Sequence, residues 1–192
     1  MNKKRGVILA ALFGLLGIFG LVQKAGAANT ADITVTVTVQ KISLTVSDAS
    51  VAFGTLAADS DIVVADTTTV NNDGNIQESY QLSATHPVGS LAQNMTADPG
   101  PDEFDLLAAF DNTINDVTNA ALTAGAGTGD SLQIGGSALT ATANRFAKDS
   151  EGTGFSVPKT EDRYLFFLFR APKTNSHPEE QSFTVTVTAI AG

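Results

Sequence analysis

Four carboxylates crowd one short stretch of this 192-residue chain: Asp98, Asp102, Glu103 and Asp105, in DPGPDEFD. Oxygen-rich loops of this kind can hold Ca²⁺, which takes roughly six to eight oxygen ligands. The spacing matches no complete calcium loop, and Asn71-Asn72-Asp73-Gly74-Asn75 also falls short of one. A solvated acidic loop is the plainer expectation, with Ca²⁺ the one cofactor these residues raise. The two histidines, His86 and His177, each precede a proline. A residue in that position is pushed out of the helical region, so both read as turn elements. Two histidines and no cysteine are too few ligands for a structural zinc site.

Gly129-Asp130-Ser131-Leu132 spells the signature of a family of serine esterases. That chemistry needs a serine at the end of a buried strand and a histidine to take its proton. Here the tetrapeptide follows a glycine loop, AGAGTG, instead of an apolar strand. The family's histidine has an aspartate three residues before it, where His177 has Thr174 and His86 has Ser83. Hydrolysis at Ser131 is therefore not expected, and the chain reads as a non-enzyme.

These residues belong to a chain with an export label. Residues 1–27 read as a cleaved signal peptide, with basic Lys3, Lys4 and Arg5, an uncharged, mostly apolar run from Gly6 to Val22, and a small-x-small Ala25-Gly26-Ala27. The run is short for a membrane span of about 20 residues, so no membrane association is expected after cleavage. The expected product is secreted, either periplasmic or outside the cell at its surface. Residues 28–192 have the length of one domain. Without cysteine, an exported domain must be held by packing, metal or partners. Maturation removes four bases and no acid, moving the formal charge from −9 to −13. Such a surface repels nucleic acid and anionic membranes.

Threonine is plentiful, helix signals are weak, and apolar residues recur with period two. VAFGTLA (51–57) and IVVADTTTV (62–70) read as strands, Asn71–Asn75 as a turn, and Ile76 to Ala84 as a strand ended by His86-Pro87. Arg163–Arg170 encloses six consecutive apolar residues, which requires cover on both faces and a central place in a sheet. FDLLAAF (104–110) fits a strand or a short helix equally. Phe183, Val185, Val187 and Ala189 alternate with threonines near the C-terminus. The expectation is an all-β fold, a single antiparallel sandwich over residues 28–192.

Val70–Asn75 with Tyr80-Gln81-Leu82 is similar to the strand-turn-strand of prokaryotic immunoglobulin-like surface domains. Val157-Pro158, the aromatic strand, Ala171-Pro172 and FTVTVTA resemble the closing half of the same domains. The opening VTVTV with Phe53-Gly54-Thr55 also resembles pilin-like subunits related to spore coat protein U. Those subunits usually carry a disulfide near this point, and this chain has no cysteine. The resemblance implies an immunoglobulin-like sandwich at a cell surface and no particular chemistry.

The first strand pattern contains a slip. Ile33, Val35, Val37 and Val39 fall on odd positions, whereas Ile42, Leu44 and Val46 fall on even ones. A one-residue slip turns side chains to the opposite face. Gln40-Lys41 is a poor two-residue hairpin. Two alternatives stand: a bulge by which one strand switches sheets, or a segment, 32–39, that leaves its own domain and completes a neighbour's sheet. The second leads to a homopolymer, since a head-to-tail contact that does not close makes a filament. The leading expectation is a structural subunit of an extracellular filament, pilus-like fibre or surface layer. The alternative is a monomeric binding or adhesion module for a glycan or protein.

Overall fold

The computed structural model describes residues 34, 36–63, 67–114, 118–125, 129–148 and 153–192. The expected signal peptide, Ile33 and Val35 lie outside the described residues. The chain divides into two compact units, 1–38 and 39–192. In the first, the described residues Thr34 and 36–38 belong to no strand.

The second unit is all-β. Its strands are β1 (Leu44–Val46), β2 (Asp61–Val63), β3 (Thr68–Asn72), β4 (Glu78–Val88), β5 (Ala92–Gln93), β6 (Glu103–Asp111), β7 (Leu139–Thr140), β8 (Asp162–Arg170) and β9 (Ser182–Ala191). The only helical piece among the described residues is a 3-10 turn at Asn119–Ala121. One sheet runs β1-β3-β8-β6-β5, with β2 continuing the β3 side of β8; the other runs β7-β4-β9. The ladders are antiparallel except for the two-residue β5–β6 pair, which is parallel.

The two sheets share one core. Phe104, Leu106, Ala108 and Phe110 of β6 and Leu165, Phe167 and Phe169 of β8 meet Tyr80, Leu82 and Ala84 of β4. The opposite face of β6 and β8 is also covered, where Leu107, Ala109 and Leu168 pack with Leu122. β8 is thus central with both faces buried, as its unbroken apolar run requires. The same double cover explains FDLLAAF, which is strand β6; with no polar face, no alternation shows in its sequence.

Two expectations are corrected. His86 is no turn: β4 continues to Val88 through a bulge after Thr85, and the imidazole stacks on Phe183 at 4.6 Å. VAFGTLA joins no ladder, because Gly54 at φ 71° turns the backbone out of the extended run.

Residues 129–148 and 153–157 stitch the sheets together along one side. Ala108 N–H donates to Asp130 C=O and Leu132 N–H to Leu106 C=O, both on β6. Gly135 N–H donates to Ala84 C=O and Ala141 N–H to Tyr80 C=O, both on β4. Farther along, Glu78 and Val157 exchange two backbone bonds of 3.0 and 2.6 Å.

Candidate functional site

The other side of the two sheets is not stitched. β9 pairs with β4 along one edge, and among the described residues its outer edge has no ladder partner. Facing it is the segment between β1 and β2. This is anchored at one end by Ser47 N–H on Thr69 C=O (2.9 Å) and by Thr68 Oγ1 donating to Asp48 C=O (2.9 Å). At its other end Asp59 N–H donates to Pro172 C=O (2.9 Å). Between these anchors, residues 49–58 form no backbone–backbone hydrogen bond among the described residues.

A groove of about 940 Å³ lies between these two runs. Val51, Phe53 and Leu56 form one wall and Phe183, Val185 and Val187 the other. Its floor reaches the core at Leu165, Phe167 and Phe169. All six wall side chains are only half-buried, although they pack on that core. The charged groups on the lining are acidic: Asp48, Glu179 and Glu180. Apolar floor, half-wet walls and unpaired backbone on both flanks suit an extended chain, which can satisfy the edge and fill the floor at once.

The slip at Gln40-Lys41 falls where packing changes. In β1, Val46 lies opposite Val70, a core residue, and Leu44 packs on the core. On the odd positions, Val37 is 87% exposed and Val39 77% exposed. Of the even set Leu44 alone packs on the core, Ile42 and Val46 being 46% and 42% exposed, so exposure falls from the odd valines to the even set without ending there.

The turn between β3 and β4 holds the backbone at this junction. Asn75 Nδ2 donates to Val39 C=O and Lys41 N–H donates to Asn75 Oδ1, each at 2.7 Å. Asn75 N–H donates to Lys41 C=O and Asp73 N–H to Ser43 C=O, each at 3.1 Å. Ser43 N–H donates to Oε1 of Glu78 at 2.7 Å. Glu78 is fully buried, and its Oε2 has no partner among the described residues. Sequence reasoning took the NNDGN stretch as a turn and Glu78 as an intruder. No sequence signal flags Asn75 and Glu78, because they act on a backbone distant in the chain and not on a ligand.

The four acidic candidates go to different partners. Asp98 pairs with exposed Lys173, and Asp102 accepts from Ser176 N–H (2.6 Å) and Oγ (2.8 Å), which hold its carboxyl below the usual range. Glu103 accepts from Asn94 Nδ2 (2.6 Å) and Gly100 N–H (2.8 Å), which lower it likewise. Asp105 is buried, accepts from Ser131 Oγ at 2.8 Å and lies 3.6 Å from Arg170. Burial pushes Asp105 up to about 6, against the pull of Ser131 and Arg170. Among the described residues no three metal-ligating side chains converge. Ser131 is buried and bonded to Asp105 and Gly125 N–H, while Asp130 ties Thr123 to Phe146. The tetrapeptide thus serves as a joint in the stitched side. No helix among the described residues is long and apolar enough to cross a membrane.

Comparison with protein-family models gives no match, and comparison with curated proteins gives none.

Proposed function

We propose that this chain is an exported, non-enzymatic structural subunit with an immunoglobulin-like sandwich, built to assemble into an extracellular filament, pilus-like fibre or surface layer. Residues 32–39 of one copy enter the groove of the next and add a strand beside β9. The observation that carries this reading is the groove itself: the outer edge of β9 and residues 49–58, neither with a ladder partner among the described residues, flank an apolar floor. Ile33, Val35, Val37 and Val39 supply a matching apolar face, and the threonines between them face water. Seven extended residues span about 23 Å, within the reach of the ten-residue β9. Asp32 at its leading end is the segment's one charge, and from Ile33 to Val39 nothing is opposed by the acidic lip of the groove. Export is supported by the character of residues 1–27.

The test is deletion of residues 28–39 from the exported chain, with the product viewed by electron microscopy and sized by chromatography. The expected result is monomers where the intact chain gives fibres, and a rise in melting temperature when a peptide of residues 28–40 is added back. Unchanged fibres from the deleted chain would falsify the role of this segment. An intact chain that stays monomeric at high concentration would instead favour a binding or adhesion module.

A further inference from the structure

We infer that the β3–β4 turn is a clasp that directs the 32–39 segment into a second copy by preventing it from folding back into its own groove. This rests on the assembly reading above and concerns its specificity. A segment tethered through β1 to its own groove competes for it at high effective concentration, and self-insertion would end growth. To return, the chain must reverse at Gln40-Lys41. Asn75 prevents that reversal. Its amide holds the carbonyl of Val39 and the N–H of Lys41 from one side, the i and i+2 pattern by which a neighbouring strand keeps a backbone extended. Three further bonds, two donated by Asn75 N–H and Asp73 N–H and one accepted by Glu78 Oε1 from Ser43 N–H, carry the hold on to Ser43.

The turn is shaped for this contact. Gly74 is buried, and a Cβ there would sit 2.6 Å from Lys41 C=O and collide with Glu78 Oε1. Only a bare backbone lets the turn approach so closely. Asn72 closes the turn from inside, accepting from Gly74 N–H and donating to Ile76 C=O, both at 3.0 Å. Gln-Lys adds to the bias, because it lacks the positive-φ residues that a two-residue hairpin uses.

The experiment compares Asn75→Ala with the intact exported chain, by sedimentation for the polymer fraction and by hydrogen exchange at residues 36–39 in the monomer fraction. Asn75 is exposed, so its loss leaves the core untouched. Losing its two side-chain bonds should raise the ratio of self-closed monomer to polymer by roughly tenfold or more. Those monomers should protect the amides of 36–39, which exchange freely in intact monomers. A second variant, with Asn-Gly inserted between Gln40 and Lys41, supplies the missing turn and should close in the same way. The clasp is overturned if both variants polymerise like the intact chain, or if their monomers leave these amides unprotected. The assembly reading has its own arm: should fibres survive deletion of 28–39, that reading fails whatever Asn75→Ala does.

Discussion

The two sides of this molecule solve the same problem differently. On one, residues 129–148 and 153–157 bond to β6 and β4 in turn, so both sheets are bridged and Phe110 and Tyr80 are buried. On the other, the outer edge of β9 and residues 49–58 face each other across a groove, neither with a ladder partner among the described residues. The difference is not one of hydrophobicity, since both sides are lined by phenylalanine, valine and leucine. It lies in whether a third backbone comes between the sheets. On the proposed assembly, this open side is where a partner chain's strand would be received.

The comparison is broken most severely from the stitched side. Phe110→Ala removes a fully buried ring that packs 5.5 Å from Tyr80, and should cost about 3–5 kcal/mol in urea unfolding of the deleted, monomeric chain. Next is Asp105, bonded to Ser131 on that side. Its folded carboxyl binds a proton more tightly than an ordinary one, titrating at about 6 where 3.8 is usual. Stability from this group is therefore full below the ordinary value and is lost as pH rises between the two. The loss is on the order of 3 kcal/mol, and Asp105→Asn should flatten that slope in a pH series of unfolding midpoints.

Phe53→Ala sharpens the contrast from the open side. The ring is half-buried and sits on a segment without backbone bonds, so the monomer should lose only about 1 kcal/mol. Sedimentation of the same variant should show a far greater loss of polymer. The smallest effect is expected from Lys173→Ala. Its partner Asp98 is exposed, and the unfolding midpoint should not move measurably, with or without added Ca²⁺.

Much of the β scaffold was legible because burial leaves a period. β9 alternates phenylalanine and valine with threonine, and β8 announces cover on both faces by having no polar position. β6 concealed its type for the same reason that β8 revealed its place. The stitched side was illegible, because residues 129–148 and 153–157 touch the sheets through the two-residue β7 and single bridges such as Leu107–Ser131 and Phe110–Ala147, which produce no run of alternation. The groove was illegible too. VAFGTLA has the composition of a strand, and only the left-handed backbone at Gly54 removes it from the ladder. The slip at Gln40-Lys41 was visible in the sequence, but its anchor on Asn75 joins residues more than thirty positions apart.

The β4–β9 ladder carries a consequence in time. Glu78 lies opposite Ala191 and Val88 opposite Ser182, so this sheet cannot zip until nearly a hundred intervening residues have been gathered in. Such long closures make folding slow. Because β9 is one wall of the groove, under the proposed assembly a nascent copy would have its leading tail to offer well before it had anywhere to receive another's. Newly made molecules would be givers first and takers only once mature.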